Sequence, residues 1–131
     1  GVDFFNDSKA TNVDATLKAL TAFPDRKVVL LLGGRDKGTA LDELVDACAG
    51  TCSAVIVYGE AGRRFHEAFA ASSVECHLEA DMRSALERAC AIARPGQAIV
   101  LSPACASFDE FDSFEQRGTV FKECVAQRMR A

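Results

Sequence analysis

A chain of 131 residues falls within the usual span of one domain and can bury a core without disulfide or metal support. Hydrophobic residues make up 49% and charged residues 26% with a net charge of −4, and the 15 Lys and Arg form no basic run of the kind nucleic acid requires. No apolar stretch approaches the roughly 18 residues of a membrane span; the six cysteines, at 48, 52, 76, 90, 105 and 124, form a CxxxC pair but no CxxC and no zinc pattern with a nearby His. The expectation is a reduced, cytoplasmic, metal-free domain with no nucleic-acid or membrane partner, and the start at Gly1 reads as a cut within a longer protein.

Taken in chain order, Val2 to Phe5 reads as a short strand ending in the polar loop Asn6-Asp7-Ser8-Lys9-Ala10-Thr11. Asn12 to Ala22 carries Val13, Leu17 and Leu20 at helical spacing, with Pro24 beyond. Lys27 to Leu32 contains an unbroken apolar run closed by Gly33-Gly34, as a strand covered on both faces requires. Ala40 to Ala49 predicts a helix, Ser53 to Tyr58 a second covered strand, Ala61 to Ala70 a helix and Val74 to His77 a short strand. Asp81 to Ala93 predicts a helix stopped by Pro95-Gly96, Gln97 to Leu101 the last strand, and Ser113 to Arg130 a long final helix.

Strands separated by helices imply right-handed βαβ units. The expected fold is α/β, a Rossmann-like three-layer sandwich around a mostly parallel sheet of about five or six strands. Ligands of such sheets bind beyond the carboxyl ends of the strands. Three polar loops fall at those ends: 6–12, 33–39 and 102–108.

Each loop admits two readings. In the first, Lys9, Thr11 and the amides opening the next helix suit an anion, and Asp7 suits sugar hydroxyls; a plain Asx or Ser/Thr turn with Asn12 as N-cap is the alternative. In the second, Gly33-xxxx-Gly38 has the outline of a phosphate loop, but Thr39-Ala40 follows where Lys-Ser/Thr is needed. Paired glycines still permit close approach, and Lys37 places a charge there, unless the loop is simply a tight turn with a solvated lysine. In the third, Ser107 with Glu110 matches a capping box, yet the same hydroxyl and nearby amides suit a carboxylate. Phe111, Phe114 and Phe121 recur at helical spacing, which favours core packing. Cys105 as a nucleophile served by His66 or His77 is disfavoured, because the topology puts neither histidine beside it.

Together the three loops resemble the C-terminal domain of the Mur ligases, in the D-glutamate-adding branch. The residues that carry the resemblance are Asn6-Asp7-Ser8-Lys9-Ala10-Thr11-Asn12, Leu32-Gly33-Gly34 with Asp36-Lys37-Gly38, and Leu101-Ser102-Pro103-Ala104-Cys105-Ala106-Ser107-Phe108-Asp109 continuing to Phe114-Glu115-Gln116-Arg117-Gly118 and Phe121. The resemblance covers the whole chain. It implies that residues 1–131 are the C-terminal, amino-acid-binding domain of a multidomain enzyme whose N-terminal and central ATP-binding domains precede Gly1. That enzyme joins D-glutamate to UDP-N-acetylmuramoyl-L-alanine in cytoplasmic peptidoglycan synthesis, using ATP and Mg2+ bound mainly by the central domain, with no cofactor intrinsic to this chain. By the same resemblance Lys37 and Thr11 hold D-glutamate with Lys9 close by, Ser107 and the amides near Phe108 and Phe114 take its side-chain carboxylate, and Asp7 faces the ribose of ATP. A stand-alone α/β module binding a small carboxylate is the alternative.

Overall fold

A computed structural model describes residues 1–130. Five strands, β1 (Asp3–Asn6), β2 (Val28–Gly33), β3 (Cys52–Tyr58), β4 (Cys76–Leu78) and β5 (Ala98–Leu101), alternate with five helices, α1 (Val13–Leu20), α2 (Asp42–Thr51), α3 (Gly62–Ala70), α4 (Met82–Ile92) and α5 (Phe114–Arg130). All neighbouring strands pair in parallel, in the order β1-β5-β2-β3-β4. The expected class and strand number hold, and every expected element exists with its ends within two residues of expectation.

The chain builds outward from β2 through β3 to β4 and then returns to insert β5 between β1 and β2. A right-handed crossover that reverses direction must change faces. The core divides accordingly. On β2, Val28, Leu30 and Leu32 face a cluster with Leu20, Leu44, Phe65 and Phe69 from α1, α2 and α3. Val29 and Leu31 face a second cluster with Met82, Leu86 and Phe121 from α4 and α5. All six β2 residues are buried, which explains why its sequence shows no polar alternation.

Local chemistry sets the helix ends. The Asn12 side chain accepts the Ala15 N–H at 2.8 Å, and Asp81 does the same for Ser84 at 2.8 Å, so each satisfies an otherwise orphaned donor. Beyond α4 the chain turns at Pro95-Gly96, where Gly96 takes φ 90°. Of the phenylalanines expected in the core, Phe121 is buried and Phe111 packs half-buried, whereas Phe114 at the first turn of α5 is 39% exposed. Cys48, Cys52 and Cys105 are buried and the other three cysteines half-buried, all as free thiols.

Candidate binding site

The order β1-β5-β2 makes the three polar loops neighbours on one edge of the sheet. The first is tied to the third by the Asp7 N–H on the Leu101 carbonyl at 2.7 Å and by the Ser102 hydroxyl on Asp7 Oδ2 at 2.9 Å. Thr16 of α1 donates its hydroxyl to the Ser102 carbonyl at 2.9 Å, which fixes the start of α1 against the third loop. The second loop is laced to the third by Gly33 N–H on the Pro103 carbonyl, 3.1 Å, and Arg35 N–H on the Ala106 carbonyl, 2.9 Å. Gly34 is required there. Its φ of 136° is open only to glycine, and a Cβ would meet the Ala106 carbonyl oxygen and lie 2.8 Å from Cys105 Cβ.

The third loop, residues 102–107, is buried throughout and includes Ala104 in the left-handed region at φ 63°. The capping box expected at Ser107 and Glu110 does not form. The Ser107 carbonyl accepts the N–H groups of Glu110 (3.1 Å) and Phe111 (2.8 Å), while the Glu110 carboxylate reaches the Met82 N–H at the start of α4 instead, 3.3 Å. That leaves the Ser107 hydroxyl buried and without a partner among the described residues.

The expected site residues fall into three groups. Thr11 and Lys37 line one narrow crevice with Arg35, Asp36, Arg64 and Cys105. Asp7 and Lys9 line a separate groove of about 550 Å³ between β1 and α1, floored by Phe5, Ala19 and Phe23. Ser107 ends the buried third loop, with Phe108 62% exposed beside it and Phe114 exposed on α5. Lys9 and Thr11 therefore diverge although they are two residues apart.

Two arginines that sequence reasoning gave no role organise the edge. Arg117 of α5 is 1% exposed and donates to the Cys105 carbonyl at 2.8 Å and the Ser8 carbonyl at 2.6 Å, joining the third loop to the first. Burial pulls its guanidinium below the usual pKa. Next to it, Gly118 lets α5 approach the first loop, since a Cβ there would run into Ser8 Oγ and sit 2.9 Å from Asn6 Nδ2. Arg64 of α3 holds Asp36 through Nε at 2.9 and 3.0 Å and the Thr39 carbonyl through Nη1 at 2.9 Å. Its hydrogen bond, then that of the Gly38 N–H, holds the Asp36 carboxyl below its ordinary pKa. The loop after β3 is thus a fourth contributor: Glu60 accepts the Asp36 N–H at 2.9 Å and gives its own N–H to Asp109 at 3.1 Å. The Arg117-Gly118 pair was a visible signal within the third motif, but nothing in the pattern distinguishes a buried arginine from a solvated one.

Burial pushes the Cys105 thiol up to about 12, so it is protonated at neutral pH and unsuited to nucleophilic attack. His77 lies on the far strand β4, where its ring pairs with Glu75 at 2.8 Å. Cys105 is set aside as a nucleophile on these grounds.

Hydroxyl, ammonium and amide donors thus lie at the carboxyl edge of a parallel α/β sheet, the edge at which sheets of this class bind their ligands. The chain belongs to the Mur ligase family: residues 1–105 match the family model for the Mur ligase, glutamate ligase domain. It is 45% identical over 125 residues to the UDP-N-acetylmuramoylalanine–D-glutamate ligase of Chlorobium phaeobacteroides, covering 95% of this chain and 26% of that protein. The enzymes of the same name from Rubrobacter xylanophilus (43% over 129 residues; 98% and 29%) and Solibacter usitatus (46% over 125; 95% and 28%) are similarly related. The chain thus spans between a quarter and three-tenths of the length of these curated relatives. A domain assigned to a UDP-N-acetylmuramate:L-alanyl-gamma-D-glutamyl-medo-diaminopimelate ligase of Haemophilus ducreyi shares the fold, with a TM-score of 0.51 at 20% identity over 79% of this chain and 76% of that one.

Proposed function

We propose that residues 1–131 are the C-terminal, amino-acid-binding domain of an ATP-dependent ligase that adds D-glutamate to UDP-N-acetylmuramoyl-L-alanine in cytoplasmic peptidoglycan synthesis. Lys37 and Thr11 hold D-glutamate from the crevice, while Lys9 faces the separate groove beside Asp7. The Ser107 hydroxyl and the amides near Phe108 and Phe114 receive its side-chain carboxylate, and Asp7 meets the ribose of ATP when the domains close. The observation that carries this reading is the buried Ser107 hydroxyl with no partner among the described residues. An unsatisfied buried hydroxyl costs about 1–3 kcal/mol, which a carboxylate acceptor would offset. For a ligand carboxylate to reach this buried hydroxyl, the Ser107 side chain must rotate or its loop must shift.

When bound in the complete enzyme, ATP supplies the phosphoryl group that activates the muramoyl-alanine carboxylate, and Mg2+ belongs with it on the central domain. Among the described residues no group of three or more His, Cys, Asp or Glu could hold a metal ion. The work of this chain is orientation. A fixed ammonium and a set of hydroxyl and amide donors match the two carboxylates of D-glutamate and leave its amine free and aimed at the activated carbonyl. Closure against the ATP domain then excludes water from the activated carboxyl group.

The test is Lys37→Ala in the complete ligase carrying this domain. Loss of a charged contact should raise the D-glutamate KM at least about tenfold. An unchanged KM removes Lys37 from the site. The 131-residue chain alone should turn over no ATP, and robust turnover by pure protein would contradict the division of labour.

A further inference from the structure

We propose that Arg64 is the positioning residue that fixes Lys37, an inference that rests on the reading of Lys37 as a substrate contact. Lys37 stands in an exposed turn between Asp36 and Gly38, and Gly38 takes φ 70°. An exposed lysine on a glycine-containing turn has many conformations to lose before it can meet a carboxylate. Arg64 removes that freedom from both sides. Its Nε grips the Asp36 carboxylate immediately before Lys37, at 2.9 and 3.0 Å, and its Nη1 grips the Thr39 carbonyl two residues after it, at 2.9 Å.

The bracket is itself anchored. Asp36 Oδ1 also accepts the Gly38 N–H at 2.9 Å, and the Asp36 N–H is held by Glu60 at 2.9 Å. The guanidinium carbon lies 5.4 Å from the centre of the Phe65 ring, which is 1% exposed in the core. The turn carrying the ammonium is thus referred, through one planar side chain, to the rigid interior. Lysine at position 64 could reach one of these acceptors but cannot span both, because the fork geometry belongs to guanidinium. Arg63, adjacent in sequence and exposed, carries the same charge without these bonds and serves as the control.

The experiment is steady-state kinetics in the complete ligase carrying this domain, with D-glutamate varied and the thermal midpoint recorded for each variant. Arg64→Ala should raise the D-glutamate KM about five- to tenfold while kcat stays within about twofold. Arg64→Lys should recover little of the loss, and Arg63→Ala should match wild type. In the Lys37→Ala background, Arg64→Ala should add less than about a twofold further change, because its effect runs through Lys37. If Arg64→Ala lowers the midpoint too far to assay, Arg64→Gln and Arg64→Lys give the same comparison. Should Lys37→Ala raise KM while Arg64 variants leave it unmoved, or act additively with it, this inference is overturned and the substrate reading stands. Should Lys37→Ala itself leave KM unchanged, the substrate reading falls and this inference with it.

Discussion

The two walls of the crevice are held by different physics. The third loop, residues 102–107, is buried along its whole length, laced backbone to backbone with the second loop and underpinned by Arg117. The second loop beyond Gly34 is exposed at every residue from 35 to 40 except the half-buried Asp36, and is held by side chains of the α3 region. The first wall is stiff because any displacement would strand buried polar groups. The second is stiff only while its charge-assisted hydrogen bonds last. A preformed donor suits the buried wall, and a cation that must find an incoming carboxylate suits the exposed one.

The largest expected effect tests the buried wall at its foundation. Arg117→Ala removes both donors to the Cys105 and Ser8 carbonyls, leaving two acceptors unpaired beside a cavity. At about 1–3 kcal/mol for each stranded group, the loss should reach about 3 kcal/mol or more in chemical denaturation. A loss under about 1 kcal/mol would mean that the loops are set without it. Next comes Gly34→Ala. Strain at φ 136° together with the close approach of the Ala106 carbonyl should cost at least about 2 kcal/mol. An unaffected midpoint would show that the lacing between the loops is slack.

How far the sequence was readable follows the same division. The covered strands announced themselves because unbroken runs such as Val28 to Leu32 have no other use in a chain of this polarity. The short edge strand was placed early, at Val74 to His77 instead of Cys76–Leu78, because with three residues it carries almost no periodicity. The three loops were legible as one polar edge at the carboxyl ends of the strands, since glycine pairs and polar runs at strand ends are local signals. Arg64 and Arg117 were not. Their roles come from contacts 28 residues back to Asp36 and 109 residues back to Ser8, and helical pattern alone assigns an arginine to solvent. Of the two readings open for Ser107, the capping box fails for a related reason: its carbonyl takes the local bonds, and Glu110 is drawn away to α4 by tertiary packing.

Ser107→Ala sharpens the comparison, because stability and function should part at a single atom. The hydroxyl is buried and unpartnered, so its removal should leave stability unchanged or raise it by up to about 1 kcal/mol. In the complete ligase the same change should raise the D-glutamate KM about tenfold. A clear destabilisation by chemical denaturation would mean that the oxygen already has a structural partner in the free domain, and the carboxylate reading would lose its support.

The smallest effect belongs to the exposed wall. Asp36 has its carboxyl held below the ordinary value of 3.8, first by Arg64 and then by the Gly38 N–H. A depressed carboxylate contributes stability that is fully present above its unfolded pKa and is lost as pH falls through the lower folded one. The stability difference between wild type and Asp36→Asn should therefore stay constant from neutrality down to about pH 5 and shrink only below that, towards acid. With both partners partly exposed the difference should be under about 1 kcal/mol, and raising the salt to about 1 M should reduce it. The deficit of Arg117→Ala should not respond to salt in this way, since its bonds run between a buried guanidinium and buried carbonyls. Equal salt dependence at the two positions would erase the distinction between the walls, and with it the argument that Lys37 depends on a polar clamp while Ser107 depends on burial.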